Sequence, residues 1–296
     1  VQNYRLRKIS FRPEKARKRG QQKTKRNSKT NELVLTGLFT AIIIIMAFTP
    51  LGYIPLVVIN ATIIHIPVIL GSLFCGPKKG AFLGFVFGFT SCLKATIVGG
   101  TLSSFVFSPV LAASLVGTSG IFKSLFIAFV PRILVGVIPY FVYIGIKKVL
   151  ASEKKNLWGT VLNVLMSVFL AFGVYAFLGK MSESLSQAAT LGIGIAVGAV
   201  VFIVVEAVFI RKSTQVIPFV YAGVAGAMTN TLLVMGSIFV LYKDAYADAI
   251  GVAGNAVLGV ITGVISFNGV IEAIVAAIIV YLVGLVLNTI KPIAAK

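Results

Sequence analysis

A chain of 296 residues that is 58% hydrophobic and only 12% charged, with mean hydropathy +1.00, cannot be a soluble domain. Its net charge of +19 would suit a nucleic-acid binder, but the distribution of that charge argues against the class. Twelve of the 27 Lys and Arg residues crowd into residues 1–30, without an aromatic stacking platform or a folded module beside them.

This arm, residues 1–30, reads as a solvated cytoplasmic tether lying against anionic headgroups, at about 1 kcal/mol per basic residue near the surface. It is too long and polar for a signal-peptide n-region, and no small-residue cleavage site follows the first apolar run, so the first helix is expected to stay. Residues 31–296 read as one membrane domain. Eight stretches approach the ~20 apolar residues of a spanning helix: 33–49, 57–75, 81–98, 125–146, 157–178, 190–210, 216–242 and 267–290. The strict alternation of barrel strands is missing, so an all-α integral membrane bundle is expected. Residues 99–123 and 249–266 read as long outer loops, the second with a half-embedded helix.

Both termini are expected on the cytoplasmic side. Alternation from a cytoplasmic arm puts Lys78, Lys79, Lys147, Lys148, Lys154, Lys155, Arg211, Lys212, Lys291 and Lys296 inside, so 22 of the 27 basic residues share one side. Glu183, Asp244, Asp248 and Glu272 then fall in or near outer loops. Cys75 and Cys92, near opposite ends of neighbouring helices, are not expected to pair.

Ionisable and amide side chains at membrane depth default to functional candidates. With this topology His65, Lys94, Arg132, Asn230, Asn268 and Glu272 all fall in the outer half, where a ligand captured from outside would bind. Each has a plainer alternative. His65 could be a packing residue, Lys94 could snorkel to headgroups and Arg132 could anchor a helix start. Asn230 could be interhelical glue, Asn268 a helix cap, and Glu272 a partner of Lys94 or Arg132. Glu206 reads as a local charge pair with Arg211. No metal site and no cofactor are expected.

Residues 64–91 read IHIPVILGSLFCGPKKGAFLGFVFGFTS, two apolar helices joined by a tight Gly-Pro-Lys-Lys-Gly turn. This run resembles the substrate-binding (S) components of energy-coupling factor (ECF) vitamin transporters. The resemblance extends to Val130-Pro131-Arg132-Ile133-Leu134-Val135-Gly136, Asn230-Thr231-Leu232-Leu233-Val234 and Asn268-Gly269-Val270-Ile271-Glu272-Ala273, and is closest to the pantothenate and hydroxymethylpyrimidine subgroup. It implies a six-helix core over residues 31–150 and 213–290. The chain departs from the family in its long arm and in an inserted helical pair, 156–212, expected to carry no polar constellation and to pack at the periphery.

The resemblance also implies a role. Such a chain binds a vitamin at its outer face, under loops 99–123 and 243–266. It then joins a coupling transmembrane subunit and two cytosolic ATPase subunits, and topples to release the vitamin inside. Gly37 and Ala41, small residues four apart on the first helix, match the face that S components offer the coupling subunit. Gly80, Gly84 and Gly88 also recur every four residues and suit close helix packing. The chain has no GxxxxGK[ST] phosphate loop, so ATP hydrolysis belongs to partners, and membrane lipid is the remaining partner. Lys94 and Arg132 favour a carboxylate such as that of pantothenate, whereas Glu272 would suit the ring of hydroxymethylpyrimidine or pyridoxine. A stand-alone secondary transporter and an intramembrane enzyme stay open, although no internal repeat, HExxH or GxSxG supports them.

Overall fold

The computed structural model describes residues 13–55, 60–99, 103–181, 185–212, 216–290 and 293, without the side chains of 13–29, 53–55, 60, 61, 180, 181, 208–212 and 216. Arm residues 1–12, Glu183, Lys291 and Lys296 lie outside it, as do the side chains of Arg211 and Lys212.

The helix α1 (Pro13–Phe48) begins inside the basic arm, so residues 13–29 continue the first helix. A 3-10 turn (Pro50–Gly52) leads to β1 (Tyr53–Pro55) and its antiparallel partner β2 (Asn60–Thr62). Then come α2 (His65–Cys75), α3 (Pro77–Ile97), a 3-10 turn (Ser104–Val106), α4 (Pro109–Val116), α5 (Thr118–Val135) and α6 (Ile138–Leu150). The second half comprises α7 (Lys155–Met181), α8 (Gln187–Lys212), α9 (Val216–Ile250), α10 (Val257–Val264), a π-helical turn (Ile265–Gly269) and α11 (Val270–Ile290). Proline opens α3, α4 and α6 in the first turn, where its missing N–H has no helical partner to lose. Gly76 turns the chain between α2 and α3 at φ +88°, a conformation other residues rarely adopt.

Seven helical runs among the described residues are long and apolar enough to span a bilayer: Thr30–Phe48, Pro77–Ile97, Thr118–Leu150, Lys155–Gly179, Gln187–Ala207, Ile217–Ile250 and Val257–Ile290. Among the described residues of the expected span at 57–75, helix begins at His65 and runs for eleven residues, and residues 60–62 form β2 instead. The expected span at 125–146 is two helices that part at Gly136. Residues 249–266 are not a free loop: α10 runs through the π-turn into α11. The expected span at 216–242 continues to Ile250 across a kink at Tyr242.

Close backbone approaches fix the packing. A Cβ on Gly80, Gly84 or Gly88 of α3 would collide with the carbonyls of Gly136, Arg132 and Ala128, so α3 and α5 cross antiparallel with nothing between them. At one end of the bundle Phe74 and Tyr143 lie against the ring of Phe219, at centroid distances of 6.3 and 5.0 Å. This end also holds the α2–α3 turn, where Lys79 pairs with Glu32 of α1 at 2.8 Å, and Lys147 and Lys148 one turn beyond Tyr143. Lys79, Lys147 and Lys148 therefore gather at one end by packing as well as by sequence.

Two hydrophobic cores fill the bundle. One, near the basic end, joins α1, α2, α3, α6, α9 and α11 around residues such as Ile43, Leu73 and Phe219. The other joins the Ser104–Val106 turn, α4, α5, α9 and α10 around Phe105, Ile127, Ile238 and Tyr242. The inserted pair is partly peripheral. Most of α8 is exposed, but Gly173 of α7 packs on Val270, and Phe177 stacks on Phe267 at 4.7 Å. The pair also holds a polar group, against expectation. Glu206 accepts from Thr160 Oγ1 at 2.7 Å and Asn163 Nδ2 at 2.8 Å, both on α7, while the side chain of Arg211, its expected partner, lies outside the described residues.

The crossing of α3 and α5 yields a prediction. Gly84→Val should destabilise by about 3 kcal/mol, because the obstacle is backbone and cannot rotate away. Gly37→Val, whose Cβ meets no atom within 4 Å, should change stability by less than about 0.5 kcal/mol. Thermal unfolding of the two purified variants checks the contrast.

Candidate functional site

Between the two cores lies a layer of buried polar side chains. On α9, Ala227 belongs to one core and Val234 to the other, with Asn230 and Thr231 between them. On α5, Arg132 separates Val135 from Ile127. Along α10–α11, Asn268 and Glu272 lie between Ile261 and Ala273.

Helix registers bring these positions to one level. In α2 and α9, Phe74 meets Phe219 and Ile69 meets Gly226, an antiparallel register. It carries His65, one turn before Ile69, to the height of Asn230, one turn beyond Gly226. In α9 and α11, Gly223 meets Ala276 and Thr231 meets Gly269, which sets Asn230 level with residues 268–272. Pro139 of α6 meets Gly226, so Arg132, two turns earlier, lies near the same height. Asn230 is fourteen residues from the start of α9, about 21 Å from the basic end at 1.5 Å per residue.

Glu272 is 5% exposed, and both its oxygens are bonded. The backbone N–H of Thr62 donates to Oε1, and Thr231 Oγ1 donates to Oε2, each at 2.8 Å. The guanidinium of Arg132 sits over the rings of Phe107 at 4.6 Å and Phe87 at 5.5 Å, and donates through Nη1 to the Ile127 carbonyl at 2.6 Å. Cation–π contacts of this kind hold a guanidinium in apolar surroundings without consuming its in-plane donors.

Several polar atoms of the layer have no protein partner: both ring nitrogens of fully buried His65, and the Oδ1 atoms of Asn230 and Asn268. A buried polar atom without a partner costs about 1–3 kcal/mol. Three such residues at one level, with Arg132 and Glu272 in the same layer, give a cluster of acceptors and donors of the kind that recognises small polar molecules.

Of the six residues expected at a site, five meet here. The sixth, Lys94, donates to the Ala47 carbonyl at 3.0 Å, tying α3 to the end of α1. Thr62, Thr231, Phe87 and Phe107 belong to the layer and were not anticipated. Threonine is common in membrane helices, where it bonds its own backbone as Thr229 does to Ala225, so only its place beside Asn230 marks Thr231. Phe87 and Phe107 look like any apolar residue until the cation beneath them is known. Elsewhere, an apolar cavity of about 240 Å³ lies among α7, α8, α9 and α11, lined by Met166, Val220 and Tyr281 among others.

The model of the family "ECF transporter, substrate-specific component" matches residues 31–211. The chain is 42% identical over 160 residues to the pantothenic acid transporter PanT of Lactococcus lactis subsp. cremoris, covering 50% of this chain and 77% of that protein. It is 27% identical over 275 residues to the pantothenate transporter PanT of Leuconostoc mesenteroides subsp. mesenteroides, covering 91% and 97% of the two.

Amides kept for a ligand should not be needed for folding. Asn230→Leu and Asn268→Leu should leave the empty protein at least as heat-stable as the parent, since each removes an unpaired buried oxygen. A fall of several degrees in melting temperature would assign these amides to structure instead.

Proposed function

The chain belongs to the substrate-specific components of ECF transporters, and we propose from that premise that it captures pantothenate and hands it to an energy-coupling module. It is a multi-pass protein of the bacterial plasma membrane, and its relatives are transporters. The observation that carries the reading is the polar layer between the two cores, with its unpartnered acceptors and its buried arginine. The names of both relatives support pantothenate as the cargo.

The chemistry of the layer suits this vitamin. Arg132 faces the carboxylate, through charge-assisted hydrogen bonds that are roughly twice as strong as neutral ones. The amides of Asn230 and Asn268 and the ring of His65 serve its hydroxyl and amide groups, each of which can donate to or accept from them. Phe87 and Phe107 exclude water around the guanidinium, which strengthens the ion pair. Lys94 is assigned to anchoring α3 on α1 rather than to the vitamin.

Orientation follows the positive-inside rule: the basic end faces the cytoplasm and the β-pair faces outward. The vitamin then enters from the side opposite the basic end. Delivery is assigned to docking on a coupling transmembrane subunit that works with two cytosolic ATPase subunits. Gly37 and Ala41 suit that docking, because both lie exposed on α1 and leave a shallow groove beside Leu38, Ile44 and Ile45. ATP hydrolysis belongs to the partners.

Calorimetry on the purified chain should give nanomolar affinity for pantothenate and none for hydroxymethylpyrimidine. The reverse order of affinity would transfer the proposal to a pyrimidine. Gly37→Trp should abolish ATP-dependent uptake in vesicles that hold the whole transporter while leaving pantothenate affinity within about twofold. Loss of binding in that variant would remove α1 as the docking face.

A further inference from the structure

We propose that Glu272 is a positioning residue rather than a vitamin contact: it ties β2, α9 and α11 together and so sets the geometry of the polar layer. The inference rests on reading that layer as the pantothenate site.

The carboxylate joins segments far apart in the chain. Thr62 is 210 residues from Glu272 and Thr231 is 41 residues away, and each donates to a different oxygen at 2.8 Å. The Thr62 N–H is thereby directed at Glu272 from the end of β2, at the register position paired with Tyr53. Hydrogen bonds at a buried carboxyl group are made where the local dielectric is low, so both ties hold their segments firmly.

Each tie ends beside a residue with an unpartnered polar atom. Thr62 precedes His65 by three residues, at the entry to α2. Thr231 adjoins Asn230. Glu272 itself lies one helical turn from Asn268. His65, Asn230 and Asn268 stand on three different elements, and Glu272 is bonded to groups near the first two and stands one helical turn from the third. A carboxylate so placed controls where the acceptors point without touching what they bind.

The same arrangement bears on selectivity. A ligand that needs a carboxylate, such as a ring carrying an amino group, would have to compete with Thr62 or Thr231 for Glu272. An anionic ligand makes no such demand, and it meets Arg132. The site therefore favours a vitamin with a carboxylate over one with a basic ring.

Two measurements on the full-length chain in nanodiscs test the proposal. The first is hydrogen–deuterium exchange of the peptide covering residues 60–64, without ligand. Glu272→Ala should speed exchange there about tenfold or more, the equivalent of one charge-assisted hydrogen bond. Thr231→Val should speed it several-fold, and Thr231→Ser should restore the parent rate. The second is pantothenate affinity. Glu272→Gln keeps an oxygen for the Thr62 N–H and an amide for Thr231 Oγ1, so it should weaken binding only about threefold, against about a hundredfold for Glu272→Ala.

If Glu272→Ala loses pantothenate while exchange at 60–64 stays at the parent rate, Glu272 is a direct contact and the proposal is wrong. Equal damage from Gln and Ala would also overturn it. Failure of the parent chain to bind pantothenate would sink the choice of vitamin alone, because the exchange experiment contains no ligand and still decides the role of Glu272.

Discussion

The structure turns on one problem of membrane physics: a carboxyl group and a guanidinium are buried between two hydrophobic cores, where Glu272 is 5% and Arg132 6% exposed. Removing such ions from water is expensive and is offset only when nearly every bond they can make is made. Glu272 meets the condition by accepting from Thr62 at one oxygen and from Thr231 at the other. Arg132 donates to the Ile127 carbonyl and lies against the faces of Phe87 and Phe107. Much else in the fold serves that layer. The glycine crossing of α3 and α5 brings the Arg132 backbone hard against Gly84, and the register of α9 on α11 aligns Thr231 with Glu272.

The layer also explains why the bundle has two cores instead of one. Toward the basic end, packing is dominated by large apolar side chains and by rings gathered around Phe219. Toward the other end, the Ser104–Val106 turn, α4 and α10 close around Tyr242, whose hydroxyl donates to the Gly120 carbonyl at 2.7 Å. Between them, unpartnered atoms on His65, Asn230 and Asn268 would be a defect in a purely structural interior. On the proposed reading they are the atoms a vitamin satisfies, so that binding and stabilisation become the same event.

Much of this could be read from the sequence, for reasons that differ by residue. Charge and hydropathy located the helical runs because lipid penalises every exposed ion and backbone group. Five of the six expected site residues came together because polar groups are rare at that depth. The β-pair before His65 was not legible, since an apolar run rich in β-branched residues reads equally well as a buried helix. Nor was the junction of α10 with α11, because a π-turn leaves no reliable mark in composition. The bonds of Glu206 to Thr160 and Asn163 were hidden for a related reason, since those partners stand on the facing helix and far from it in sequence.

The central claim is that Arg132 in the buried layer recognises the carboxylate of the vitamin. The direct measurement is a cycle of four affinities, with pantothenate and its analogue bearing an alcohol in place of the carboxylate, each against the parent chain and Arg132→Gln. The account predicts that reducing the carboxylate weakens binding to the parent by about a hundredfold and changes binding to Arg132→Gln by less than about threefold. Equal losses in both proteins would mean that the carboxylate is bound elsewhere and would contradict it.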